Sequence, residues 1–199
     1  MVNKNILSRS LLLLLLLLTS ILFLSGSRNF GAQLCTKGDL DGDGITEEYK
    51  LTNHVLTVKE GSQEIWKSSS DYYIDSFALG DINNDGEVNL VVSLWKKGSF
   101  GEMKPFWHTG KDNDYKNHLF VYQLKENTFR HVWCSSNLDH PILSFDIKDN
   151  NGDGRNELVV EEGQYKKIVG EKYTANPNGT KRTVIWQWEE WGFCLQKIL

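Results

Sequence analysis

Apart from one continuous apolar run near its start, this chain places its hydrophobic positions in short stretches separated by turn residues. Segments 89–95, 118–124 and 183–188 are dense in Val, Ile, Leu, Phe, Tyr and Trp and shorter than an ordinary helix. Glu60-Gly61-Ser62, Lys125-Glu126-Asn127 and residues 190–192 punctuate them as turns. Outside the apolar run, no window of about 12 residues carries an apolar stripe at helical spacing. The pattern predicts an all-β chain. Expected strands are 33–37, 47–52, 54–59 and 63–67, then 74–79, 89–95, 118–124 and 128–134. A third set is expected at 142–147, 157–162, 182–188 and 192–198.

The three sets share one feature. Between the first and second strand of each lies an acidic loop: Asp39-Leu40-Asp41-Gly42-Asp43-Gly44-Ile45-Thr46-Glu47, then 81–89, then 149–157. All fit Asp-x-Asp/Asn-x-Asp-Gly-x-x-Glu/Asn, and the last two run into Leu-Val-Val. The flanks repeat too, with Ser76-Phe77 and Ser144-Phe145 upstream of the loop and tryptophans at Trp66 and Trp133. Cys35 takes the phenylalanine slot in the first copy, which predicts a core position for it. Repetition at this scale is the mark of stacked supersecondary units.

Alternating oxygen-bearing residues on a tightly turning backbone converge on one cation, and calcium takes six to eight oxygens without strict geometry. The expected ligands of the first loop are Asp39, Asp41, Asp43, the Ile45 carbonyl and Glu47. Those of the second are Asp81, Asn83, Asp85, the Glu87 carbonyl and Asn89. Those of the third are Asp149, Asn151, Asp153, the Arg155 carbonyl and Glu157. Gly44, Gly86 and Gly154 stand where the loop turns hardest. An EF-hand would place a glutamate at position twelve, where this chain has Lys50, Val92 and Val160. Carboxylate count predicts that the first and third loops bind more tightly than the second.

With these loops and their following apolar strands, the chain resembles the FG-GAP or VCBS repeats of the integrin α-subunit β-propeller and its bacterial relatives. The resemblance covers about residues 33–199 and is weakest in the first copy, where Glu48-Tyr49-Lys50 replaces the apolar strand. It implies about three tandem four-stranded antiparallel blades of β-propeller type, each with a structural calcium ion. Propellers usually close with four to eight blades. Three blades therefore leave a compact array, a homodimeric ring, or pairing with another protein as alternatives, of which the compact monomer is preferred.

The opening residues carry different information. Lys4 and Arg9 precede Leu11 to Leu18 and the apolar residues up to Leu24, the pattern of an export signal. Residues 1–27 are read as a cleaved signal peptide or a retained membrane anchor, with the remainder secreted or held at the outer face of the cytoplasmic membrane. Removing them moves the net charge from −4 to −6, and no basic stripe suggests a nucleic-acid partner. Cys35, Cys134 and Cys194 form an odd set whose pairing the sequence leaves open.

No His-x-x-x-His, Cys-x-x-Cys, Gly-x-Ser-x-Gly or phosphate-cradling glycine loop occurs, and no catalytic residue is assigned. Two connections, 96–117 and 163–181, are longer than the architecture needs and follow equivalent strands, so both should project from one side. They supply the candidate ligand-binding residues Phe106, Trp107, His108, Tyr115, Tyr165 and Tyr173, suited to a cell-surface glycan or protein. For Trp107 the competing expectation is a plug folded against the sheets. A calcium-dependent, non-catalytic binding, adhesion or scaffold module is the preferred function. The alternative is a hydrolase or accessory protein acting on surface polymer, with Glu161, Glu162, Asp112 and Asp114 as its carboxylates.

Overall fold

A computed structural model describes residues 34–100 and 104–199, all within one compact unit, Gln33–Leu199. The expected signal or anchor over residues 1–27 lies outside the described residues. Those described form fourteen strands and no helix.

The first sheet is β1 (Leu34–Gly38), β2 (Glu47–Thr52), β3 (Val55–Glu60) and β4 (Gln63–Lys67), in chain order. The second holds β5 (Tyr73–Gly80), β6 (Asn89–Lys97), β7 (Tyr115–Lys125) and β8 (Thr128–Cys134). The third is β9 (Ile142–Lys148), β10 (Glu157–Glu162), β13 (Arg182–Glu189) and β14 (Gly192–Ile198). Each of these runs is antiparallel throughout, and none of the sheets closes. All twelve expected strands are present, with ends displaced by at most three residues.

The 163–181 connection departs from expectation. It contains a hairpin, β11 (Tyr165–Val169) and β12 (Lys172–Ala175), where a loop was expected. β12 joins the second sheet through a parallel pairing of Lys172 with Tyr115 at the start of β7. Tyr115 N–H also donates to the Glu171 carbonyl at 2.8 Å. Lys166 and Lys167 interrupt the apolar pattern there, so the segment lacks the run of buried residues that marks the other strands.

Alternation along the strands builds two cores, because successive side chains point to opposite faces. Tyr49, Leu51, Leu56 and Val58 of the first sheet pack against Leu90, Val92, Leu94, Phe120, Tyr122 and Leu124 of the second. The intervening residues Val91, Leu119 and Val121 face the other way and meet Leu158, Val160 and Val184 of the third. The middle sheet is covered on both faces, which is why β6 reads as a nearly unbroken apolar run. Each such fully buried aliphatic side chain stabilises the fold by about 1.5–3 kcal/mol. The outward face of the first sheet instead carries Glu48, Lys50, Thr57 and Lys59.

Successive sheets meet at recurring points. A β-carbon on Gly38 would lie 2.8 Å from Leu79 Cδ1, and one on Gly80 would lie 2.9 Å from Ile147 Cγ2. Glycine just before the acidic loop thus lets the first strand of one sheet approach the first strand of the next. Ser68 and Ser135 also recur: each hydroxyl accepts the backbone N–H of a core leucine, Leu56 at 3.1 Å and Leu119 at 2.9 Å. Trp66 packs on the first core and Trp133 on the second, at equivalent positions.

Cys35 is a correction. It is exposed, whereas Phe77 in the matching slot is buried. β1 is an edge strand whose side chains are mostly solvated, so the slot has no core to fill. Cys134 and Cys194 are likewise exposed, and all three thiols are free.

Candidate metal loops and aromatic cleft

The three acidic loops adopt one backbone. Residues at loop position six have φ of 88° (Gly44), 91° (Gly86) and 86° (Gly154), and position four is also left-handed at Gly42, Asn84 and Gly152. Glycine and asparagine hold this region at least cost, which explains their recurrence. The first aspartate of each loop then accepts the position-six N–H: Asp39 from Gly44 at 2.9 Å, Asp81 from Gly86 at 2.9 Å, Asp149 from Gly154 at 2.8 Å. The position-five aspartate accepts the N–H of residue seven, as in Asp43 with Ile45 at 2.7 Å, so the Ile45, Glu87 and Arg155 backbones are tied into each turn. The Asp149 carboxyl is held below its usual range, chiefly by the Gly154 N–H.

Position nine is buried in every loop: Glu47 at 0 % exposure, Asn89 at 0 % and Glu157 at 2 %. A buried polar side chain needs a partner, and these three differ in whether they have one. Glu157 is satisfied: Oε2 accepts the Asn150 N–H at 2.8 Å and Oε1 the Asn151 amide at 3.1 Å. Neither amide atom of Asn89 has a partner. Glu47 Oε2 accepts from Leu40 N–H at 2.9 Å and Tyr49 hydroxyl at 3.1 Å, but Oε1 has none. Burial raises the Glu47 pKa, and the charges of Asp41 and Asp39 push in the same direction against those two hydrogen bonds.

The first loop is also the one that brings carboxylates together. Oxygens of Asp39, Asp41, Asp43 and Glu47 all lie within 4.8 Å of one another. Position three explains the contrast. Asn151 donates its amide to Asp153 at 2.9 Å as well as to Glu157, and Asn83 donates to Asp85 at 2.7 Å. Asp41 in the first loop has no proton to give, and its Oδ1 is buried without a partner. Four crowded carboxylates with two orphaned buried oxygens could hold a metal ion.

The loops share one end of the array. Asn84 and Asn156 exchange hydrogen bonds across the second and third loops, at 3.1 and 2.6 Å. A hollow of about 690 Å³ between the first and second is lined by Asp39–Asp43, Glu87 and Lys125, among others.

At the opposite ends of β6 and β7 the long connections produce a different surface. Phe106 is 92 % exposed and Trp107 69 % exposed, packed edge to face on each other, so Trp107 is not a plug. His108 rests against Phe100 instead. The base of this loop is closed by Asp112, which accepts from Ser99 and Phe100 N–H at 2.7 and 2.8 Å. Tyr115 and Tyr173 do converge: together with Tyr73, Asp75, Trp95, Lys172 and neighbouring residues they surround a cleft of about 390 Å³. Tyr165 does not line it and packs on Trp95 and Tyr173 from outside.

Tyr73, Asp75 and Trp95 escaped sequence reasoning because they lie inside regular strands. The signal was only that they sit at the ends of β5 and β6, paired Tyr73 with Trp95. Asp75 keeps contact with solvent, accepts a hydrogen bond from the Trp95 indole N–H, and has a raised pKa because the surrounding groups desolvate it. Behind Tyr73 the His54 ring stacks at 3.5 Å, in a backbone conformation with φ of 63°. Its Nδ1 bonds the Ile74 carbonyl at 2.9 Å, which pins the stack.

Comparison of the chain with protein-family models, with curated proteins and with solved structures finds no match.

Proposed function

We propose that this chain is an exported, calcium-stabilised β-repeat module of the FG-GAP/VCBS blade type, with a non-catalytic binding role at the cell surface. The carrying observation is Glu47: a fully buried carboxylate with one oxygen unpartnered, meeting Asp39, Asp41 and Asp43 within 4.8 Å. Such a group is strongly unfavourable alone, and a bound cation would satisfy it. The blade reading draws support from three four-stranded antiparallel runs, each with the same turn between its first two strands. Export rests on Lys4, Arg9 and the apolar run that follows them.

A non-catalytic role is supported by the fate of the carboxylates a hydrolase would need. Glu162 pairs with Arg182 at 2.7 Å, Glu161 with Lys181 at 2.8 Å and Asp114 with Lys116 at 3.9 Å, while Asp112 closes a loop. They are committed to separate neighbours.

Calcium titration by calorimetry tests this reading. Binding heat is expected, and its absence sinks the metal assignment. Asp39→Ala should weaken binding more than Asp81→Ala, since the first loop offers four carboxylates and the second two; the reverse order refutes the ranking.

A further inference from the structure

The repeats allow one place in the fold to be compared with its own counterpart. Between the first two sheets, Leu94 and His118 face each other across β6 and β7, next to Phe120 and Tyr122, and all four are buried. Tyr72, on the connection into β5, packs edge to face on Phe120 at 5.7 Å and helps fill the space. Counted from position nine of the acidic loop, the corresponding cross-strand pair of the third sheet is Glu162 and Arg182. Val184 stands where Phe120 does, and Trp186 where Tyr122 does. The second interface thus loses an aromatic ring and gains charge at one spot. A pocket of about 310 Å³ lies there, walled by Trp133, Trp186 and Phe193 and lined also by Glu162, Arg182 and Asp139.

Folding does not call for these charges. Glu162 is 4 % exposed and meets Arg182 Nε at 2.7 Å. Desolvating such a pair offsets much of its attraction, and a well-packed uncharged pair in its place is often as stable or more so. The second sheet has that uncharged solution at the same position, in Leu94 and His118. Charge kept in an open aromatic pocket, where the fold has an uncharged alternative, points to a ligand.

The lining also selects the ligand. Arg182 and Glu162 share one hydrogen bond, from Nε to Oε2, which leaves Glu162 Oε1 and the terminal guanidinium nitrogens for other partners. An acceptor and donors side by side match neighbouring hydroxyl groups, each of which both donates and accepts. A ligand anion would meet two carboxylates, Glu162 and Asp139. A ligand cation would have to separate Glu162 from Arg182 or rely on the exposed Asp139 alone. Indole and phenyl rings suit a ligand with C–H faces and polar edges. An uncharged sugar ring has both.

We propose that the pocket between the second and third sheets binds an uncharged saccharide, its hydroxyls on Glu162, Arg182 and Asp139 and its ring faces against Trp133, Trp186 and Phe193. The assignment rests on the binding-module reading and gives that reading a site and a ligand class.

The test is calorimetry of the full chain with cellohexaose, maltohexaose and chitohexaose, with hexagalacturonate and hexalysine as charged comparators. At least one of the three neutral oligomers is expected to bind, about tenfold or more tighter than either comparator. The double variant Glu162→Leu/Arg182→His, which copies the second sheet's pair, should lose about tenfold in that affinity while its melting temperature holds or rises. Should the melting temperature drop instead, Asp139→Asn on the exposed connection decides: a several-fold loss supports the site and unchanged affinity overturns it. Full affinity in the double variant, or tighter binding of a charged comparator, also overturns the assignment. Binding of no probe by a sample that still takes up calcium overturns the pocket and leaves the binding-module reading standing. Cleavage of a bound oligomer does the reverse, overturning the non-catalytic reading while keeping the pocket.

Discussion

At one end of the strands the connections between β1 and β2, β5 and β6, and β9 and β10 repeat the same backbone turn, the same aspartate contacts and a buried polar residue at position nine. At the other end the β6–β7 and β10–β13 connections share neither length nor sequence, yet they meet through Tyr115 and Glu171 and frame one cleft. The first end is acidic, and each of its turns is built from contacts within seven residues, such as Asp39 with Gly44 and Leu40 with Glu47. The second is rich in lysine and tyrosine and built from residues up to a hundred positions apart, from Tyr73 to Tyr173. Local turn chemistry can be copied from repeat to repeat because it needs only its own segment. A cleft made by packing is unique to the place where it forms.

The largest effect expected from separating the two ends is a pH effect. His118 lies at the base of the cleft end, fully buried, with Nδ1 on the Ser135 carbonyl at 3.1 Å. Burial lowers its pKa to about 4, against 6.5 for an unperturbed histidine. A depressed folded-state pKa contributes stability at neutral pH that is lost as pH falls from about 6.5 towards 4, because the unfolded chain binds the proton first. The full loss from this group is on the order of 3 kcal/mol. Urea unfolding at pH 7 and pH 4.5 should show it, and His118→Asn should flatten the slope. Equal slopes in the two proteins would remove His118 from the account.

Chelation comes next and acts on the acidic end alone. If free calcium stands at about a hundred times its dissociation constant, removing it costs roughly 2.7 kcal/mol, or about 5–10 °C of melting temperature for a domain of this size. Differential scanning calorimetry with and without chelator measures this. The difference in tryptophan fluorescence between the protein and its Trp95→Phe variant, which isolates Trp95 in the cleft from the other six tryptophans, should not change below the transition. A coincident change would mean the ends are coupled.

The smallest effect is a matched pair of glycine substitutions. Gly44→Ala, at φ of 88° in open space, should destabilise by about 1 kcal/mol through backbone strain alone. Gly110→Ala, in the cleft-side loop with only ordinary contacts at 3.9 Å, should stay within about 0.5 kcal/mol. Equal costs, read from denaturant midpoints, would deny that the acidic turns are the more constrained of the two.

Much of the fold was legible because strand periodicity and turn residues are local signals. Asn89 to Trp95 reads as a strand in any context, and Asp81 to Gly86 reads as a tight acidic turn. The β11–β12 hairpin was not legible, since its residues are mostly exposed and its anchor is the distant Tyr115. Cys35 misled for a related reason: the repeat pattern marks a slot, but only the neighbouring sheet determines whether that slot is filled. Of the candidate ligand residues, Tyr115, Tyr165 and Tyr173 were marked by loop length, while Tyr73, Asp75 and Trp95 became visible only once β5 and β6 were paired.

The sequence by itself determined the strands, the three acidic turns and the positions of the buried ninth residues, because each follows from hydrogen bonds and side-chain alternation over a few neighbours. Tertiary structure alone decided that Glu47 is buried and that one of its oxygens and one of Asp41's are left without a partner. It also decided that Tyr73, Trp95, Tyr115 and Tyr173, from distant segments, line one cleft. Burial and convergence are properties of packed surfaces, and no stretch of chain carries them before the sheets meet.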